Sequence, residues 1–277
     1  MQNRLKVLIA CEESQRVCKE FRLLNHEAYS CDLQQTSGDR PEWHIQADCL
    51  DVIDGDCSFV TQDGEKHNQT GEWDLIIGHP PCTYLTNGGA VRMFRRETRE
   101  YKPYGTFQMV NVDRLRKGIK ARDLFVSMLN AKCRHIAIEN PVPMSIYCMN
   151  KSNQIIQPYM FGDPYSKKTC LWLKGLPQLE PTDQCNTYHP YINGGVEGLT
   201  DRITKGRNSR RDRCREAKHF LVLQKQWQNS GVISYLTSEV IEHESSTGRR
   251  SIQTDSRPRM GRRSRSPHAE ALRAASA

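Results

Sequence analysis

Short, nearly continuous apolar runs alternate along this chain with segments of helical spacing. Leu5-Lys6-Val7-Leu8-Ile9-Ala10 predicts a buried first strand. Val17, Phe21 and Leu24 then recur at helical spacing, with Ser14 as the predicted N-cap. Ala28-Tyr29-Ser30-Cys31 with Asp32 predicts a second strand, and residues 42–48 a third; both end in an acid. Residues 54–72 are polar and glycine-rich and predict a surface loop. Trp73-Asp74-Leu75-Ile76-Ile77 reads as the next buried strand, bounded by turn residues. Ile119, Leu124, Phe125, Met128 and Leu129 mark one face of a helix, and His135-Ile136-Ala137-Ile138 another strand. Residues 154–160 and 168–173 predict two more strands around a tight turn at 161–167. Residues 174–205 show little periodicity. Cys214, Ala217, Phe220, Leu223 and Trp227 mark a last helix, stopped at Asn229-Ser230-Gly231. Strands alternating with helical segments predict an α/β fold with a parallel sheet.

The 277 residues can bury a substantial core, yet only 37% of them are hydrophobic. The net charge is +8. Residues 245–277 hold eight arginines against Asp255 and Glu270, a net of +6, so the basic excess is mainly a property of that stretch. Residues 230–277 read as a basic low-complexity tail without the apolar content for a core. Eleven cysteines without a C-x-x-C pair, and no secretory leader, point to reduced thiols in a cytoplasm. Histidines and cysteines are too dispersed to suggest a metal site. No apolar run approaches the ~20 residues that cross a bilayer, so no membrane association is expected. A monomer is expected.

Two stretches carry candidate chemistry. Gly78-His79-Pro80-Pro81-Cys82-Thr83-Tyr84-Leu85 sets a thiol just past a strand's carboxyl end, where open α/β sheets place their ligands. Consecutive prolines stiffen that turn, which suits a nucleophile that must be aimed. Equally, Cys82 could be a small buried thiol in a proline-rich turn. Glu139-Asn140-Pro141-Val142 sets an acid at the end of the following strand, one helical crossover later. Asp32 occupies the position where nucleotide-binding α/β folds bond ribose hydroxyls, although an aspartate there also suits a turn. Residues 87–122 interleave Arg92, Arg95, Arg96, Arg99, Lys102, Arg114, Arg116, Lys117, Lys120 and Arg122 with aromatics; any single arginine there suits a solvated helix face paired with Glu97, Glu100, Asp113 or Asp123, but the segment as a whole reads as a basic insertion contacting nucleic acid.

In their order along the chain, these motifs resemble those of C5-cytosine DNA methyltransferases. Pro80-Pro81-Cys82 is similar to the family's Pro-Cys nucleophile loop, and Glu139-Asn140-Pro141-Val142 to its Glu-Asn-Val motif. Phe161-Gly162-Asp163-Pro164, with Lys167 and Thr169, resembles its Tyr-Gly-x-Pro-Gln-x-Arg-x-Arg segment. The Ala10-Cys11-Glu12-Glu13-Ser14-Gln15 opening, residues 79–85 and residues 169–177 look like a short branch found in phage and prophage genomes. The resemblance covers roughly residues 5–228.

It implies a Rossmann-like S-adenosylmethionine-dependent methyltransferase sheet with helices on both faces. The catalytic domain would be residues 1–229, with 174–205 as a very small target-recognition segment. It further implies Cys82 as nucleophile, Glu139 as the acid on the cytosine ring and Lys167 as an anion stabiliser. S-adenosylmethionine would lie against Glu12, Glu13, Asp32, Asp48 and Pro80, and double-stranded DNA, with the target base flipped out, would be the substrate. The chain departs from the family in its first loop, which lacks the glycine-rich pattern, and at Lys167 and Thr169, where the family has arginines. A catalytically silent DNA-binding protein of this fold, and an enzyme acting on RNA or a free cytosine nucleotide, are the competing expectations.

Overall fold

A computed structural model describes residues 4–94, 110–192 and 195–196, with 189–192 and 195–196 as backbone alone. β1 (Lys6–Ala10), α1 (Arg16–Leu23), β2 (Glu27–Asp32) and β3 (His44–Gln46) come first. A hairpin follows, β4 (Cys57–Val60) and β5 (Lys66–Gln69). Next come β6 (Leu75–Gly78), α2 (Val112–Leu129), β7 (Ile136–Pro141), β8 (Gln154–Ile156), β9 (Tyr165–Ser166) and β10 (Thr169–Lys174). β11 (His189–Ile192) and β12 (Gly195–Val196) close the described chain.

Seven strands form the central sheet in the order β3-β2-β1-β6-β7-β10-β8. β10 runs antiparallel to both of its neighbours, and the remaining pairs are parallel. Parallel strands buried on both faces need apolar residues at successive positions. Val7, Leu8, Ile9 and Ala10 supply them in β1, as do Leu75, Ile76 and Ile77 in β6, all nearly inaccessible. Side chains alternate between faces. Val7, Ile9, Leu75, Ile77, Ala137 and Leu171 pack with Val17, Cys18 and Phe21 of α1. Leu8, Ala10, Ile76, Ile136, Ile138 and Trp172 pack on the other side with Phe125 and Met128 of α2. The chain is therefore a Rossmann-like α/β sheet with a helix on each face.

Several expectations need correction. Ser14 does not cap α1: Gln15 holds the cap position in the left-handed region (φ 57°) and makes no side-chain cap bond. The third strand begins at His44, because Pro41 starts a 3-10 turn over Pro41–Trp43. Likewise Pro158 cuts the predicted 154–160 strand to Gln154–Ile156. Residues 54–72 are no mere loop. Phe59 is buried, stacks on His67 across the hairpin and meets Tyr29 edge-on, and Gly64 makes the turn at φ 92°. A period-two pattern of only four residues was hidden by its polar surroundings. Residues 174–205 contain β11 and β12, which join β9 in a three-stranded sheet. The basic insertion is in part regular helix, since α2 starts at Val112 with Asn111 capping it through Arg114 N. Arg95, Arg96, Arg99 and Lys102, the 207–228 helix and the 230–277 tail lie outside the described residues. Among the described residues, no helix is long and apolar enough to cross a membrane.

Candidate active site

β6 ends at Gly78, where a side chain would meet Met128 Sδ at 3.3 Å and Ile138 at 3.4 Å. His79 extends the β1 pairing by one bond, its N–H donating to Ala10 O at 2.9 Å. Burial lowers the His79 imidazole to about 3, so it is neutral at pH 7. The two prolines follow, and Cys82, half-buried, stands clear of the sheet. Cys82 O accepts from Leu85 N (3.0 Å) and Thr86 N (2.9 Å), which coils the chain into a turn carrying the thiol.

This turn is stitched to the segment after β7. Asn140 Nδ2 donates to Pro80 O at 3.2 Å, Asn87 N to Val142 O at 2.8 Å and Met144 N to Leu85 O at 2.8 Å. Asn140 is fully buried, and its Oδ1 has no donor among the described residues. Beneath the turn, Leu85, Met93, Met144 and Tyr147 form a small core against Ala121 of α2. The Pro80–Cys82 turn thus rests on its own hydrophobic footing.

Arg114 locks it from the side. Sequence reasoning placed this residue among the nucleic-acid contacts, but its side chain is buried. Nη2 donates to Thr83 O at 2.7 Å, and the guanidinium lies 5.2 Å from the centre of the Tyr84 ring. Gly89 leaves room for it, since a Cβ there would stand 2.3 Å from Nη2. Arg114 falls on the buried face of α2, whereas Arg116, Lys117 and Lys120 are exposed. Helical phase could have separated these roles; the density of basic residues concealed it.

Glu139 lies in β7, which runs parallel and adjacent to β6. Gly78 pairs with Ile138, so Glu139 falls one residue past that pair, at the same edge of the sheet as the Pro80–Cys82 turn. Its cross-strand partner on the other side is Leu171. The carboxylate is half-buried, and its charge, after burial itself, helps raise the Cys170 thiol above its ordinary range. Lys167 sits two residues before Thr169, which pairs with Pro141. It therefore belongs to the loop beyond the carboxyl end of β7, half-buried.

The predicted cofactor residues also collect at the carboxyl edge. Glu12 and Glu13 follow β1, Asp32 ends β2, Asp48 follows β3 and Pro80 follows β6. The sheet order turns back at β1, whose neighbours are β2 and β6, and such a switch point opens a crevice between the strand ends. Most of these acids are already engaged. Glu12 caps α1 in place of Ser14, accepting from Val17 N at 2.7 Å and Cys18 N at 3.2 Å. Burial raises its carboxyl to about 7, against the opposing effect of those amides. Glu13 accepts from Ser37 N at 3.1 Å. Asp32 forms the turn with Gln34 N at 2.9 Å, and Asp48 caps the 3-10 turn Cys49–Asp51 through Leu50 N at 3.0 Å. Asp32 remains half-buried and Asp48 exposed, so both keep solvent-accessible surface at this edge of the sheet.

Two features escaped sequence reasoning. Gln15, fully buried, grips the backbone of Arg40 at both N–H and carbonyl (3.2 and 2.6 Å), and Gly38 must be glycine beside it. Cys11, Cys31 and Cys49 gather near Asp32. Bonding to Cys49, then burial, raises Cys11, and burial raises Cys31, both well above the ordinary thiol range. Cys11 and Cys31 therefore stay protonated and unreactive. None of the ten described cysteines forms a disulfide.

No family model matches this chain, and no curated protein matches it. Among solved structures it is similar to the Entamoeba histolytica methyltransferase EhMeth, at 15% identity over 66% of this chain and 58% of that one, with a TM-score of 0.36. The chain spans less than two thirds of that protein's length.

Proposed function

We propose that this chain transfers a methyl group from S-adenosylmethionine to C5 of cytosine in DNA, through a covalent bond between Cys82 and C6. The observation that carries this reading is the joining of two loops. A thiol and a carboxylate stand at the carboxyl ends of adjacent parallel strands, and the Asn140, Asn87 and Met144 bonds hold their loops together. Cytosine C5 is a poor nucleophile. Addition of the Cys82 thiolate to C6 moves an electron pair to C5, and Glu139 at N3 and the 4-amino group draws charge from the ring as that bond forms. S-adenosylmethionine supplies the electrophilic methyl group. Loss of the C5 proton then re-forms the double bond and expels Cys82. Lys167, on the loop beside the strand end, favours the electron-rich ring. Arg116, Lys117 and Lys120 supply phosphate contacts, and the limited chain between β10 and the helix predicted from sequence at 207–228 implies short or relaxed sequence readout.

The acids fit the methyl donor unevenly. Asp32 and Asp48 suit its ribose and adenine. The Glu12 and Glu13 carboxylates are held by backbone amides, so they shape the loop rather than bind the amino-acid end. That engagement is the one observation favouring a rival reading, a silent DNA-binding protein of the same fold.

Duplex DNA containing 5-fluorocytosine decides between them. The wild-type chain with S-adenosylmethionine gives a covalent protein–DNA adduct, Cys82→Ser gives none, and Glu139→Gln slows its formation by about 10²–10⁴. Duplex binding without adduct or measurable cofactor affinity would establish the silent protein. RNA and dCTP arms report the target.

A further inference from the structure

The chemistry above occupies the carboxyl edge of the sheet. At the opposite edge, a cavity of about 350 Å³ opens among the residues that precede the first three strands. Arg4 comes just before β1, His26 just before β2 and Trp43 just before β3, and Lys19 and Arg22 reach in from α1. Five strand residues at about 3.3 Å each put this cavity roughly 16 Å from the Cys82 edge. It is not part of the site already described.

The lining is charged in an unusual way. Four cations, Arg4, Lys19, Arg22 and Arg40, face one carboxylate, Asp39. Arg22 and Arg40 both lie on the Trp43 ring, with guanidinium carbons 5.2 and 5.1 Å from its centre. Two guanidiniums on one indole repel each other, and folding alone gains little from gathering them. One part of the cluster has a structural explanation: Arg22 Nε donates to Ala28 O at 2.7 Å, and its charge complements the carboxyl end of α1. The others do not. Lys19 pairs with Asp39, and Arg40 with Glu42 at 3.5 Å, but three of these four partners keep more than a third of their side-chain surface in water. Such pairs are weak and readily exchange for a better anion. Arg4 is exposed and makes no ion pair among the described residues. His26 is buried, and its Nδ1 accepts from Leu5 N at 3.3 Å. The imidazole proton is thereby placed on Nε2, as a neutral donor.

We propose that this cavity binds a phosphate monoester of nucleotide size. Arg4, Arg22 and Arg40 hold the phosphate, and the organic part lies against Trp43 and Leu23. A dianion matches the surplus positive charge, and forked guanidiniums suit its oxygens better than a lone carboxylate. The volume matches a single small ligand rather than a length of nucleic-acid backbone.

Isothermal titration of the full chain with AMP, ribose 5-phosphate, inorganic phosphate and adenosine tests this. AMP binds one to one and adenosine does not bind. Binding survives saturation of the chain with duplex DNA. Arg4→Ser and Arg40→Ser each weaken AMP about tenfold, the loss expected for one charged hydrogen bond. Both side chains sit at the surface, and circular dichroism verifies the fold of each variant. Failure of AMP to saturate at millimolar concentration, equal binding of adenosine, or affinity untouched by both substitutions would overturn the proposal. So would an acidic peptide that binds there more tightly than AMP.

Discussion

Arg114 joins α2 to the turn that carries Cys82, and replacing it separates local order from global stability. Arg114→Met keeps the length and apolar volume of the side chain but removes its charge and donors. Three effects compete. The charged bond to Thr83 O, 2.7 Å long, contributes about 1.5–3 kcal/mol. The contact with Tyr84 adds about 1 kcal/mol, part of which the Lys117 ammonium, 5.5 Å from the same ring centre, retains. Against these stands the desolvation of a buried guanidinium whose Nε has no acceptor among the described residues, a cost the variant is spared. The terms nearly offset in the folding equilibrium, so urea unfolding should shift by less than about 2 kcal/mol. Local opening has no such offset. A lost bond of about 2 kcal/mol speeds hydrogen exchange at Leu85, Thr86 and Gly89 roughly 30-fold, because opening the turn no longer breaks the Arg114 contact. If Cys82 performs the proposed chemistry, misplacing it by about 1 Å lowers adduct formation around 10²-fold. Unchanged exchange in residues 82–90 would refute the clamp. A uniform rise in exchange across the sheet would refute it too, since Arg114 would then serve the whole fold. Arg114→Lys, which keeps charge but loses the planar fork, should fall between wild type and Met.

Three further outcomes follow from the same geometry. Asn140→Ala frees Pro80 O and removes the buried Oδ1 together; a stability loss of about 1–2 kcal/mol in urea and accelerated exchange through residues 79–87 are expected, and intact protection there would contradict the stitching role. Gly118→Ala should destabilise by about 1–3 kcal/mol despite better helix propensity, because the new Cβ would stand 1.8 Å from the Oη of buried Tyr147; a stabilised variant would show that Tyr147 yields freely. Glu12 is raised from 4.5 to about 7 in the fold, so the native state holds its proton more tightly than the unfolded chain does; the associated stability is complete below pH 4.5 and is lost as pH rises to about 7, on the order of 3 kcal/mol in all. Glu12→Gln should abolish that decline, and pH profiles that run parallel for the two proteins would exclude it.

The pattern of residues that sequence could and could not read has a physical cause. β1, β6 and β7 were legible because a parallel strand covered on both faces must be apolar at every position, which leaves a dense local signal. Cys82 and Glu139 were legible as a pair for the same reason: once two strands and one crossover helix are placed, their carboxyl ends become neighbours. What escaped depends on partners distant in the chain. Glu12 looks like a ligand for the charged end of a cofactor, yet the chain turns left-handed at Cys11 and Gln15 and delivers its carboxylate to the amides of α1. Arg114 sits in a run of surface cations, but the turn of α2 and the absence of a side chain at Gly89 carry it inward to Thr83. The sites nevertheless follow one rule. The strand ends facing Cys82 are crowded with acids whose lone pairs are largely spent on backbone amides, while the opposite ends gather cations with too few anions. The first arrangement builds a rigid frame around the Cys82 turn. The second leaves unspent charge, and unspent charge in a cavity is the feature most readily explained by a ligand.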